Sequence, residues 1–342
     1  MKKITALVLT LVMALSMTAC STNSTKKETE AGTTAAAEGN ADGKTYKIGA
    51  VQLAEHPALD AAYKGFVKAL KDKGLEEGKN LTIDFQNAQG DISNCDTIAS
   101  KLVNDGNDLL FAIATPAAQA LAGKTTDIPI LCTAVTDPQS SGLVNDNKKP
   151  GTNVSGTSDL TPVADQIDLL KKIIPDAKKV AIMYCSSEDN SIFQAEIAKE
   201  ACEKAGLAYE EATVSESNQI QQVTESLIGK VDAIYIPTDN LLAEGMATVT
   251  QVSNANNLPC IVGEDGMCKN GGLATYSINY ENLGYMAGEQ AASILLDGAD
   301  VKEMPIGYCS AKDCVMEVNT TAAKDLGIEI PKEIMDQATV IE

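Results

Sequence analysis

Short polar runs interrupt the apolar stretches of this 342-residue chain at regular intervals, and their side chains are of the kinds that grip small charged molecules. In the first half the runs are 52–57 (QLAEHP), 114–117 (ATPA) and 133–138 (TAVTDP); in the second they are 186–190 (SSEDN), 237–240 (PTDN) and 263–266 (GEDG). Gln52, His56, Ala114, Thr115, Thr136 and Asp137 belong to the first set. Ser187, Glu188, Asn190, Asp239, Asn240 and Glu264 belong to the second, and Ser277 closes a later strand-like run. Most runs lead straight into a helical pattern. A helix start carries unpaired N–H groups and a positive dipole end, which suit a carboxylate or phosphate. The acids Asp137, Glu188, Asp189, Asp239 and Glu264 could hold an ammonium group. Together they would suit a zwitterion. Each residue also has a local role open to it. Ser187, Asp189, Asn190 and Asp239 are ordinary helix N-caps, and Asp137-Pro138 is an ordinary turn. The functional reading rests on position, since both halves place such residues at equivalent strand ends.

Other chemistries are poorly served. His56 is the only histidine, which excludes a His-rich metal site. It stands between Glu55 and Pro57, where it either lines a cleft or caps the next helix. No GxSxG elbow offers an acyl-transfer serine, and no GxGxxG follows a strand. The run 39–45 (GNADGKT) imitates a P-loop but has three residues between its glycines where the motif needs four. No cofactor and no catalytic role are expected. A net charge of −20 argues against nucleic acid as a partner, because phosphate neutralisation needs a basic patch. Of the nine cysteines, Cys132, Cys185 and Cys260 sit in apolar runs as small hydrophobes. Cys260 with Cys268, or Cys309 with Cys314, could bridge, but buried thiols are the default reading.

The elements that must position these residues alternate strictly. Lys2 and Lys3 precede an apolar run at 4–17, and Met17-Thr18-Ala19-Cys20 follows, so residues 1–19 read as a secretory signal. The cut site resembles a bacterial lipobox with Met17 in place of the usual Leu, which makes Cys20 the expected lipidated N-terminus. Residues 20–44 then form a flexible tether, too polar to fold. Beyond it, apolar runs at 46–53, 81–85, 108–114 and 128–135 read as strands, with helical spacing between them. The same series recurs at 179–184, 208–214, 232–236 and 259–262. Strands that are apolar throughout and alternate with helices imply parallel sheets covered on both faces. The expected fold is α/β, with two doubly wound, Rossmann-like lobes. The stretch 153–161 (NVSGTSDLT) reads as the hinge. Lobe 1 is expected to hold 45–157 with about 278–304, and lobe 2 to hold 158–277 with about 305–342.

The runs QLAEHPALD (52–60), ATPAAQAL (114–121), DPQSSGLV (137–144), NVSGTSD (153–159), SEDNS (187–191), PTDN (237–240) and 272–284 with Asn279-Tyr280 occur in a characteristic order and spacing. In that order they resemble bacterial ABC-transporter substrate-binding proteins of the tryptophan/tyrosine-type subfamily. The likeness runs from Tyr46 to about Pro331; Gln139 and Ser140 depart from it, standing where the family often has small apolar residues. It implies a type I periplasmic-binding-protein fold with a multi-crossing hinge, and a small-molecule ligand, an amino acid and often an aromatic one, enclosed when the lobes close. It also implies an ABC permease and its ATPase as partners, with the receptor held on the outer face of the membrane by its lipid anchor. Sugar-binding relatives usually clamp rings between aromatic faces. This chain has no Trp and four Phe, of which only Phe193 lies near a predicted cleft loop. On this reading the ligand carboxylate is expected near Thr115, Thr136 and Ser187, and its ammonium near Asp239 or Glu264. A sensor of the same fold that signals to a receptor kinase, or a receptor for a sugar or nucleoside, is the alternative that the sequence leaves open.

Overall fold

The structure is a computed structural model that describes residues 44–309 and 314–342. The signal segment, Cys20 and nearly all of the tether lie outside the described residues.

The chain opens with β1 (Tyr46–Gln52), α1 (Pro57–Asp72), β2 (Leu81–Asn87), α2 (Ile92–Asn104), β3 (Leu109–Ile113), α3 (Thr115–Ala122), β4 (Ile130–Val135) and β5 (Val154–Ser158). β3, β4 and β5 are buried along their whole length, as strands covered on both faces must be. The stretch read as a hinge therefore begins as a strand. After it the chain passes to a second half: α4 (Val163–Ile173), β6 (Lys179–Cys185), α5 (Asp189–Lys204), β7 (Ala208–Val214), α6 (Ile220–Leu227), β8 (Ala233–Ile236), α7 (Asn240–Glu244), α8 (Met246–Ala255), β9 (Cys260–Val262), α9 (Asp265–Lys269) and β10 (Ala274–Ser277). The helical stretch between β8 and β9 is broken at Gly245, whose added Cβ would stand 2.3 Å from the Ile220 side chain. α10 (Tyr280–Asp297) then returns to the first half, followed by β11 (Gly307–Tyr308). The chain crosses once more to β12 (Val315–Asn319), α11 (Thr320–Asp325), α12 (Lys332–Met335) and β13 (Thr339–Ile341).

The first sheet runs β11-β5-β4-β3-β1-β2 and the second β13-β12-β10-β9-β8-β6-β7. Each therefore contains the doubly wound order 2-1-3-4-5 in its own numbering, with parallel pairing throughout that core. β12 is the exception and pairs antiparallel with β10. The late return from lobe to lobe falls after Tyr308, since Gly307 and Tyr308 pair with Thr157 and Ser158 of the first sheet. In such sheets the order reverses beside the first strand, here between β1 and β3 and again between β6 and β8. Crevices that take ligands open there, beyond the carboxyl ends of the strands.

Lobe 1 is completed by a helix that arrives late. α10 packs on α1 with backbone against backbone: a Cβ added at Gly65 would lie 1.9 Å from the Glu281 carbonyl, and one at Gly284 would lie 1.8 Å from the Ala62 carbonyl. Phe66 of α1 lies beneath, its ring stacked on Phe111 of β3 at 3.6 Å between centroids. The small residues at Gly284, Ala287, Gly288 and Ala291 are thus the condition for the contact. Gly284→Ala should drive the helices apart and cost about 1–3 kcal/mol or more. A thermal melt should show the loss as a fall of several degrees, at about 2–4 °C per kcal/mol for a chain of this size class.

Candidate functional site

A narrow cavity, all but closed, lies between the two sheets, beyond the carboxyl ends of their strands. His56 and Leu59, from the loop after β1 and from α1, line it with Ala134 and Thr136 at the end of β4. Asn190, Asp239, Asn240, Ala243 and Glu264 face them from the second half. Asp159, just past β5, and Tyr280, the first residue of α10, complete the wall from two of the crossings between lobes. Polar contacts bridge the halves: Gln119 Nε2 donates to Asp189 Oδ2 at 2.7 Å, Gln194 Nε2 to Thr136 Oγ1 at 3.2 Å, and His56 Nε2 meets Asn240 Oδ1 at 3.4 Å.

The backbone is strained where it meets the cleft. Ala114 has φ +84° and Ala134 φ +53°, values that non-glycine residues seldom adopt and that cluster at ligand sites. Ala134 marks a register shift between Cys132 and Val135 against β5. Opposite Cys132, Gly156 has φ +142°, and a Cβ there would strike the Cys132 carbonyl at 1.9 Å.

The acids divide into two kinds. Asp239 caps α7, with Oδ1 accepting from Leu242 N at 2.8 Å and Oδ2 from Cys185 N at 2.6 Å. Glu264 caps α9, with its two oxygens accepting from Gly266 N at 2.7 Å and Met267 N at 2.6 Å. Both line the cavity, but each oxygen already serves a backbone N–H. Glu188 accepts from Asn240 Nδ2 at 2.6 Å, Asn190 Nδ2 at 3.2 Å and Leu241 N at 3.2 Å. It lies behind the cavity and, with Ser187, on a wider outer groove. Burial raises the pKa of all three, with the Asp239 charge adding to Glu188 and the Asp265 charge to Glu264. Asp159 differs. Its Oδ2 accepts from the Tyr280 hydroxyl at 3.0 Å, while Oδ1 is buried with no partner. Burial lifts its carboxyl to about 6, partly offset by bonds from the Tyr280 and Thr136 hydroxyls.

Two further buried atoms in the cavity wall lack partners, His56 Nδ1 and Asn190 Oδ1. Their chemistry follows from their neighbours. Asn240 turns its amide N–H to Glu188, so its Oδ1 accepts from His56 Nε2–H and leaves His56 Nδ1 as an acceptor. Burial lowers the His56 pKa to about 4 and keeps the ring neutral. Asn190 Nδ2 is spent on Glu188, Ser191 and the Thr238 carbonyl, so its free Oδ1 is also an acceptor. The three unpartnered atoms, on Asp159, His56 and Asn190, all call for a donor.

The remaining sequence candidates stand around this centre. Gln52 braces the exit of β1, donating to the Ala54 carbonyl and to Asp60 Oδ1, both at 2.7 Å. Thr115 is buried at the start of α3 with its hydroxyl unpartnered, outside the cavity lining. Asp137 closes a turn through Ser140 N at 2.6 Å and Asn147 Nδ2 at 3.0 Å. Ser277 anchors α9 by accepting from Asp265 N at 3.1 Å. Asp159, Tyr280 and Gln194 were not singled out from sequence. Asp159 had a usable signal, since it ends the NVSGTSD run and a crossing segment must border the cleft. Among the described residues no cluster of His, Cys, Asp and Glu has the arrangement of a metal site. None of their helices is long and apolar enough to cross a membrane.

Comparison with known proteins bears on this geometry. A curated tyrosine-binding protein of Clostridioides difficile (strain R20291) is 43% identical over 328 residues, covering 95% of this chain and 93% of that one. A Streptococcus ABC domain solved in complex with L-Trp superposes with a TM-score of 0.84 at 38% identity, over 87% of this chain and all of that one. A Clostridium difficile substrate binding protein with adhesive properties, solved ligand-free and open, is 46% identical over 87% of this chain and 99% of that one, with a TM-score of 0.67. The shape thus follows the ligand-bound relative more closely than the open one that is nearer in sequence, in keeping with the polar bridges across the cleft. The family model for ABC transporter substrate binding proteins matches residues 47–341, and with two doubly wound lobes closed on a shared cavity the chain belongs to that family.

Proposed function

We propose that the interlobe cavity captures an amino acid, with an aromatic side chain as the best fit, for an ABC permease and its ATPase. The observation that carries this is the trio of buried acceptors without partners, Asp159 Oδ1, His56 Nδ1 and Asn190 Oδ1. A buried polar atom left unsatisfied costs about 1–3 kcal/mol, and an ammonium group brings three donors and a charge. The ammonium placement thus moves from Asp239 or Glu264 to Asp159. Leu59 and Ala243, one from each lobe, supply apolar wall for a side chain. The named ligands of the relatives, tyrosine and L-Trp, support the aromatic assignment. A ligand that satisfies groups from both halves stabilises the closed form through its differential affinity for that state. The protein works outside the cytoplasm, tethered by lipid at Cys20, and binds its solute without transforming it.

Three outcomes follow from this. The chain contains no Trp, so indole emission reports the ligand alone; titrating L-tryptophan should give a saturable blue shift that tyrosine or phenylalanine competes away. Absence of any shift would remove tryptophan from the ligand class. Asp159→Asn should keep the fold, by circular dichroism, yet weaken binding by about 100-fold or more, as expected when one member of a buried charge pair is lost. The pH dependence has a fixed sign. Free Asp159 keeps its proton up to about pH 6, whereas the complex needs the carboxylate, so binding expels that proton. Affinity should fall by up to about tenfold per unit as the pH drops below that value. Calorimetry across pH 4.5–8 checks this, and the dependence should vanish in Asp159→Asn.

A further inference from the structure

Resting on that reading, we infer that Gln194, through its bond to Thr136, is the residue that holds the cleft shut once a ligand has entered. The three polar contacts that bridge the halves are not alike. Asp189 is exposed, so the bond that Gln119 makes to it competes with water. His56 and Asn240 meet at a long 3.4 Å. Gln194 is fully buried and Thr136 nearly so, and their bond at 3.2 Å is shut away from solvent. A hydrogen bond is electrostatically strongest where water is excluded. Gln194 is not among the residues that line the cavity. It acts on the ligand through Thr136, as a positioning residue.

The Gln194 amide has one orientation open to it. Its Oε1 accepts from the Thr238 hydroxyl at 2.7 Å and from Thr238 N at 3.4 Å, and a backbone N–H can only donate. The amide N–H groups are thereby aimed at Thr136 Oγ1, the Thr238 carbonyl at 3.0 Å and the Asn190 carbonyl at 3.2 Å. Thr238 and Asn190 belong to the same half as Gln194, so of these bonds the one to Thr136 alone spans the cleft. Thr136 is itself braced, because Ser158 Oγ donates to its carbonyl at 2.7 Å. Its hydroxyl donates to Asp159 and accepts from Gln194. That hydroxyl has a single proton. An ionised Asp159 claims it and leaves the Thr136 oxygen as acceptor for Gln194. A neutral Asp159 can offer its own proton to the same oxygen and compete with Gln194. A ligand ammonium that ionises Asp159 thus turns the Thr136 hydroxyl the way Gln194 requires. Charge arriving at a crossing is passed, in two hydrogen bonds, to α5 of the second half, and bonds in such a chain strengthen one another.

The test is a double-substitution cycle on the full-length chain, read by stopped flow with L-tryptophan and by calorimetry with L-tyrosine. Gln194→Met keeps the length of the side chain and removes its donors. Ligand enters the open form, so the association rate should stay within about twofold of the unsubstituted chain. Dissociation needs opening and should speed up about tenfold, with the tyrosine affinity falling in step. Thr136→Val should speed dissociation as well, and Gln194→Met should add nothing further in the Thr136→Val background. Should Gln194→Met fail to fold, Gln194→Asn, which keeps the amide but is a methylene too short, takes its place in the cycle. A role confined to the second half would instead speed dissociation equally in both backgrounds. That result, or an unchanged dissociation rate and affinity, overturns the inference and leaves the amino-acid reading standing. Should neither amino acid bind, the aromatic assignment is what must be given up. The role of Gln194 is then read on the free chain, where small-angle scattering should give Gln194→Met the larger radius of gyration, and equal radii overturn it.

Discussion

A carboxyl group shut away from water must find a compensating charge or keep its proton, and in this protein Asp159 faces that choice at the point where the lobes join. It follows β5 directly, so its backbone belongs to a crossing while its side chain looks into the cavity. Tyr280 meets it from the start of α10, the next crossing along the chain. Two of the connections between the lobes thus meet at the same carboxylate. On the proposed reading, whatever neutralises Asp159 acts at once on the cleft and on the connections beside it, and the unfavourable burial of an uncompensated charge becomes the reason an empty cleft gains less from closing than a filled one.

The other acids show why residue type alone does not locate such a site. Asp239, Glu264 and Glu188 are as buried as Asp159, but their oxygens are held by the first amides of α7 and α9 or by Asn190 and Asn240. Their oxygens are already committed within the wall and just behind it. Their bonds fix which way Asn240 points, which in turn fixes the His56 tautomer, so a helix cap in one lobe sets the chemistry of a ring in the other. The caps and the site are one network of bonds, and what distinguishes the residues is a single unused oxygen.

Much of this was legible in the sequence. Apolar runs alternating with helical spacing imply two parallel sheets, and the polar strand-end loops named His56, Thr136, Asn190, Asp239, Asn240 and Glu264, all of which border the cavity. The acceptor bearing the charge was not found, because the strand-end rule looks at loops and Asp159 and Tyr280 sit on crossings. The choice between capping and ligand binding for Asp239 and Glu264 turns on hydrogen bonds no spacing reveals. The break at Gly245 is likewise invisible without Ile220, which reaches it from a distant helix. β12 and β13 were missed for a simpler reason: short strands at or beside the sheet edge, with half-exposed residues, lack the apolar continuity that marks the central ones.

The seam between α1 and α10 has a consequence in time as well as in space. The first eight elements of lobe 1 leave the ribosome long before α10, since all of α4 through β10 is made in between. Until residue 297 has emerged, α1 lacks the glycine-lined partner that covers it, and a contact separated by more than two hundred residues cannot form early. Lobe 1 is therefore a unit of the finished shape but not of the growing chain. In such a layout the half that emerges first waits for the half that follows to supply its missing helix.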